Sequence, residues 1–176
     1  MPSRVTWKNL SAGAGRNDMP GILSDAVVNE LLSPEELAKG IADTWTLAEW
    51  PARLIEPWYW TSIFALAIDE NEFITDDGVI VPSHSLPERL VLYRGAWDEY
   101  SFGMSWTSDI SIGRWFAHRF DGTRDNPDGH LYTITVDRSV VIGRFDARRE
   151  SEFVLDITLI SDEDVDLVGE VATLSV

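Results

Sequence analysis

The chain has 176 residues, 44% of them hydrophobic, which is the length of one domain and enough apolar material for an ordinary core; nothing in it suggests disorder. Its 30 acidic residues outweigh 14 basic ones, for a formal charge of −16. That charge argues against nucleic acid or an anionic membrane surface as partner, since both are gripped by clustered Lys and Arg. The lack of any cysteine excludes disulfides, thiolate zinc sites and a cysteine nucleophile.

Met1 to Lys8 lack the apolar run of a signal peptide, and no stretch reaches the ~18 apolar residues of a membrane span. The expected location is the cytoplasm. Residues 1 to 24, with Gly13, Gly15, Pro20 and Gly21, read as a loosely structured lead-in. A helix is expected from about Asp25 to Leu32, with Ser24 as its cap. Ser33-Pro34-Glu35-Glu36 is a strong helix start, in which Ser33 caps, Pro34 takes the first position and Glu36 completes a capping box. Apolar residues at Leu37, Ile41, Trp45 and Ala48 keep helical spacing, while Pro51 and Pro57 force boundaries. The spacing therefore predicts helices over 34–48, 51–55 and 58–68.

Four tryptophans, Trp45, Trp50, Trp58 and Trp60, fall close together and are read as a helical core rather than a platform for bases. Residues 69 to 78, rich in Asp and Glu, are read as a solvated loop; they lack the ligand spacing of a calcium loop.

From residue 79 the texture becomes that of short strands, expected at 79–81, 89–94, 103–107, 130–136, 139–145, 152–160 and 165–175. One helix interrupts them. Asp109 or Ser111 starts it, and Ile112, Trp115, Phe116 and Phe120 give it an apolar face, with core packing expected of Trp115 and Phe116. Asp125 to Gly129 reads as a turn or a mobile loop. The expected architecture is α+β, a helical amino-terminal portion (1–78) packed on a β-rich portion (79–176) within one domain.

Three stretches carry candidate chemistry. Glu150 and Glu152 stand two apart at the start of an apolar run; on extended backbone both carboxylates would share one face with Cα atoms ~6.5 to 7 Å apart. Such a pair can stabilise an oxocarbenium-like centre and deprotonate an incoming nucleophile. Arg94 at a strand end offers a planar charged fork for a phosphate or carboxylate, and Gly95 beside it would let a ligand approach the backbone. Ser105, Thr107 and Ser108 supply hydroxyls able to orient a carboxylate or bond a ribose. His84, His118 and His130 have no ligand spacing, so no metal is expected.

In this order, Leu-Tyr-Arg-Gly (92–95), Ser-Trp-Thr-Ser (105–108) and Glu-Ser-Glu (150–152) resemble the Arg, Ser-Thr-Ser and Glu-x-Glu signature of ADP-ribosyltransferases that cleave NAD, of the mono-ADP-ribosyltransferase type found in bacteria and their phages. The resemblance covers about residues 89 to 160 and implies a split-sheet ADP-ribosyltransferase-like core around NAD, used as a substrate. It implies that Arg94 holds a phosphate or the nicotinamide-side ribose, and that Gly95 offers its backbone to the nicotinamide amide. Thr107 and Ser108 would support the nucleotide and the catalytic residue. That residue would be Glu152, bonding the ribose 2′-hydroxyl, with Glu150 orienting or deprotonating the acceptor. The Glu-x-Glu form implies arginine on a protein as acceptor. Trp106 departs from the signature where the first Ser is expected. Either Ser105 takes that role through a one-residue shift, or Trp106 walls the nicotinamide pocket; a strand lets only one of them face the site. One aromatic of the following helix, such as Phe116, would pack against nicotinamide.

Overall fold

The computed structural model describes residues 5–119 and 129–169. Phe120, most of the predicted 125–129 turn and the end of the predicted 165–175 strand lie outside the described residues. In chain order the elements are α1 (Trp7–Leu10), α2 (Met19–Val28), α3 (Pro34–Leu47), α4 (Pro51–Leu54) and α5 (Pro57–Ala67), then β1 (Glu72–Thr75), β2 (Ile80–Pro82), β3 (Arg89–Ala96), β4 (Ser105–Thr107), α6 (Ile110–His118), β5 (His130–Asp137), β6 (Val141–Phe145), β7 (Glu152–Leu155) and β8 (Val165–Leu167). This is an α+β arrangement, with helices gathered ahead of a mixed sheet. No helix among the described residues is long and apolar enough to cross a membrane.

Helix α3 starts as its sequence demands. Ser33 is the N-cap, Pro34 occupies the first turn, and Glu35 and Glu36 complement the positive end of the helix. The capping box is not completed, because the Glu36 carboxylate accepts instead from the Trp7 backbone N–H at 2.8 Å and from Lys39. That contact corrects the reading of residues 1–24 as loose. Trp7 is buried, its indole N–H donates to Asp43 at 2.9 Å, and α1 and α2 pack onto α3. Helix α2 begins at Met19, with Pro20 in its first turn, six residues ahead of the expected start. The predicted acidic loop at 69–78 also needs correction: Phe73 and Ile74 are buried in β1, and Asp76 receives the backbone N–H groups of Asp146 and Ala147.

The eight strands run in the order β2-β1-β6-β7-β4-β3-β5-β8. Among the described residues only β1 and β6 are parallel. Strands β3 and β5 pair along their full length, whereas β3 and β4 meet at a single bridge, Tyr93 to Thr107. That bridge is the shortest pairing within the sheet. One core lies between the helices and the β1-β6-β7 half, built on Trp45, Trp60, Ile63, Phe64, Ile74 and Val154. A second core on the opposite face joins Leu92 and Ile134 to Trp106, Val141, Phe153 and Leu155, and takes none of its buried residues from α1–α6.

Of the clustered tryptophans, Trp45 and Trp60 are core residues that meet edge to face at 5.0 Å, while Trp50 and Trp58 remain 38% and 64% exposed. Helix α6 also reverses an expectation. It turns its smallest residues, Gly113 and Ala117, to the sheet and leaves Trp115 56% exposed. The reason is the close crossing over Gly95, where a side-chain Cβ would sit 2.1 Å from the Gly113 carbonyl oxygen.

Candidate active site

Strand periodicity decides which residues share a face. In β4, Trp106 points into the second core, only 2% exposed, with its indole N–H donating to the Gly103 carbonyl at 2.8 Å. Ser105 and Thr107 consequently face the helices. Register pairs Thr107 with Glu152 and Trp106 with Phe153, so Glu152 joins Ser105 on the helical side. This resolves the alternatives left by the sequence. Ser105 supplies the hydroxyl beside Glu152, and Trp106 as a pocket wall is corrected, because its ring faces the other way.

The hydroxyl of Ser105 donates to Glu152 Oε1 at 2.6 Å, and the indole N–H of Trp45 in α3 donates to the same oxygen at 2.9 Å. Glu152 Oε2 accepts no hydrogen bond among the described residues. Burial pushes the Glu152 carboxyl above its ordinary range; the two donors oppose this, as does the charge of Arg148, while the charge of Glu150 reinforces it. Such a carboxylate is costly to ionise.

Glu150 is positioned differently from the expectation. Strand β7 begins at Glu152, and Arg149 and Ser151 have φ of 57° and 45°, in the left-handed region. The extended-strand argument for two carboxylates on one face thus fails; a tight turn brings Glu150 close instead. Each left-handed non-glycine residue costs about 1–2 kcal/mol, so the turn needs external ties. They come from Ser-Trp-Thr-Ser: the Thr107 hydroxyl donates to the Glu150 carbonyl at 2.7 Å, and the Ser108 N–H donates to the Ser151 carbonyl at 3.2 Å. Thr107 also accepts from the Asp109 N–H, linking the turn to the cap of α6. The hydroxyl of Thr107 therefore spends its donor and one acceptor site on structure, and Ser108 acts there through its backbone.

Arg94 lies next to the short β3–β4 pairing. Beyond the Tyr93–Thr107 bridge, its Nη1 donates to the Ser105 carbonyl at 2.7 Å and its Nε to the Tyr100 carbonyl at 2.9 Å, replacing strand pairing by side-chain bonds. Nη2 lies against Gly103. Burial lowers the Arg94 pKa to about 10, opposed by the charge of Glu152, so the guanidinium stays charged at neutral pH. The space beside Gly95, expected to admit a ligand, is taken by the backbone of α6 at Gly113 and Ala117. Phe116 is half-buried and meets Trp115 edge to face at 5.0 Å.

Two features were not foreseen. Trp45 is 107 residues from Glu152, and no local pattern announces a contact at that range. The second is a run of alternating arginines and rings that joins α4, the 97–100 loop and α6: Arg119 stacks on Trp115 at 5.4 Å and on Trp50 at 5.3 Å, and Arg53 stacks on Trp50 at 5.0 Å and on Tyr100 at 5.6 Å. Arginine on indole faces is an attractive pairing, worth about 0.5–1 kcal/mol at exposed positions. Among the described residues no group of three or more His, Asp or Glu is arranged to hold a metal. No protein-family model, curated protein or solved structure matches the chain.

Proposed function

We propose that the chain is an NAD-dependent mono-ADP-ribosyltransferase with an ADP-ribosyltransferase-like core, releasing nicotinamide and passing ADP-ribose to an arginine side chain on a protein acceptor. The observation that carries this reading is the convergence of all three motif stretches on one carboxylate. Ser105 holds one oxygen of Glu152, Thr107 and Ser108 hold the turn that presents Glu150, and Arg94 bonds the Ser105 backbone.

In the proposed reaction Glu152 Oε2 accepts the ribose 2′-hydroxyl proton in a hydrogen bond. The bond between C1′ and the nicotinamide nitrogen breaks, its electron pair leaving with nicotinamide, which becomes neutral. Positive charge develops on the ribose and is opposed by the adjacent carboxylate, in a site whose burial strengthens the interaction. The acceptor nitrogen then bonds to C1′ and gives its proton to Glu150. Arg94, charged and rigidly held, offers the N–H groups not bonded to Ser105 and Tyr100 to a phosphate.

The test is release of nicotinamide from NAD by the purified protein, with and without cell lysate, followed by mass spectrometry of modified side chains. Glu152→Gln is expected to remain folded and to lose at least 100-fold in rate, the scale of removing a group that stabilises developing charge. Wild-type protein that neither binds NAD nor releases nicotinamide would remove the reading. Turnover without labelled protein would make water the acceptor.

A further inference from the structure

We propose that Trp45, from the helical amino-terminal portion, is a positioning residue that holds Glu152 in its ionised, ligand-ready orientation through its indole N–H. The inference deepens the proposed function and rests on that reading for its relevance to catalysis, while the contact itself can be tested without turnover.

The geometry is specific. Trp45 Nε1 and Ser105 Oγ donate to the same oxygen, Oε1, from two sides. A carboxylate held by two donors on one oxygen cannot rotate without breaking both, so Oε2 keeps a fixed direction. The indole itself is fixed. It is 1% exposed, meets Trp60 edge to face at 5.0 Å and Phe64 at 6.1 Å, and Trp60 is in turn tied to the Pro51 carbonyl at 3.0 Å. The end of α3 is also bound to the turn beside Glu150. Arg148 donates from Nε to the Thr46 carbonyl at 2.7 Å and from Nη2 to the Ala48 carbonyl at 2.5 Å. These two bonds, from Arg148 ahead of Glu152 to carbonyls just past Trp45, fix the register between the helix and the turn.

An indole N–H only donates, so it can favour the carboxylate but cannot accept from a protonated acid. Trp45 thus opposes the upward push that burial exerts on Glu152. The charged groups that bear on Glu152 are Glu150 and Arg148 from the turn and Arg94 from β3; among residues in hydrogen-bond contact, Ser105 and Trp45 are both neutral. Removing Trp45's donor leaves Ser105 as the one hydrogen-bond donor, with the charge of Arg148, against desolvation.

Trp45→Phe keeps an aromatic ring and removes the N–H. The Glu152 carboxyl titration, followed by carbon NMR of labelled glutamate, is expected to move up by about 1 to 2 pH units, the scale of one hydrogen bond to a charged group. The acid limb of the nicotinamide-release profile moves with it. Trp60→Phe perturbs the same aromatic core without touching Glu152 and is expected to leave the titration in place; an equal shift in both variants would overturn the proposal. Should Trp45→Phe fail to fold, the wild-type protein still decides. Its Trp45 indole N–H resonance must shift with pH as Glu152 titrates and stop doing so in Glu152→Gln; a pH-independent resonance overturns the contact. Absence of nicotinamide release with a titrating indole would reject the enzymatic reading and leave the positioning contact intact.

Discussion

Two glycines that flank Arg94 separate what the fold needs from what the site needs. At Gly95 a methyl group would stand 2.1 Å from the Gly113 carbonyl oxygen and 2.2 Å from the Ala117 nitrogen. Ordinary van der Waals contact begins near 3.4 Å, so α6 must withdraw from β3 by roughly 1 Å, and backbone atoms of a helix cannot rotate aside. Overpacking of this kind costs about 1–3 kcal/mol, and two rigid contacts place Gly95→Ala near the upper end, at about 3 kcal/mol. For a chain of this length each kcal/mol moves Tm by about 2–4 °C, giving an expected fall of about 6–12 °C. At Gly103 the same methyl meets only the Nη2 end of Arg94, at 2.8 Å. Gly103→Ala should cost less than Gly95→Ala, because a side-chain end rather than helix backbone has to give and a small tilt keeps the bonds to Ser105 and Tyr100, yet that tilt disturbs the arrangement offered to a phosphate. Thermal and urea unfolding read the first effect, and calorimetric titration with NAD reads the second as weakened binding. The reasoning fails if Gly95→Ala melts with the wild type while Gly103→Ala unfolds, since α6 would then not cross β3 at that distance.

Arg148→Ala removes two charge-assisted bonds to the end of α3; because the side chain is exposed, the expected loss is about 1–2 kcal/mol in urea unfolding, with Arg148→Lys recovering only part, as an ammonium cannot reproduce the fork. A loss below about 0.3 kcal/mol would show that these bonds do not tie the helix to the turn. The raised pKa of Glu152 sets the pH behaviour: the rate of NAD cleavage should fall as pH drops through a value above the ordinary 4.5. In stability the sign is opposite, since the native state holds the Glu152 proton more tightly than the unfolded chain. The stabilising contribution is fully present below the unfolded pKa and is lost as pH rises through the raised folded pKa. The stability of Glu152→Gln relative to wild type should therefore increase from about pH 4 toward neutrality; a pH-independent difference by chemical denaturation would contradict it.

Helices α3, α4 and α5 were legible because punctuation is local: Ser33-Pro34, Pro51 and Pro57 each mark a start within one turn. Strand β1 was hidden because its apolar nucleus is two residues long, Phe73 and Ile74, between acids. What stabilises it is parallel pairing with β6, about seventy residues onward, which no window contains. Pro20 misled for a related reason: it reads as a breaker but suits the first turn of α2. Trp115 follows helical spacing, yet the glycine crossing leaves room at the interface only for Gly113 and Ala117. In the site, the motif residues could be named from sequence, but not their faces. Whether Ser105 or Trp106 stood beside Glu152 depended on the register of β4 against β7, a nonlocal quantity. The backbone of Glu150 also departed from the strand rule, since positive φ at Arg149 and Ser151 is set by bonds from Thr107 and Ser108 rather than by residue preference.

The helical portion has a physical reason to be continuous with the site. Removing a carboxylate from water costs several kcal/mol even after relaxation, and hydrogen bonds to a charged group return about 1.5–3 kcal/mol each. The left-handed turn at Arg149 and Ser151 adds a further cost. Motif residues alone cannot close that deficit, because Thr107 and Ser108 are engaged with the turn and only Ser105 reaches Glu152. The second donor comes from the core that also supplies the compensating burial. Trp45, Trp60 and Phe64 are nearly or fully sealed from solvent, and each large aromatic contributes on the order of 2–3 kcal/mol of transfer free energy beside its edge-to-face contacts. The cluster of tryptophans that looked like bulk in the sequence thus stabilises the fold and, through one N–H, acts on the carboxylate around which the motifs gather.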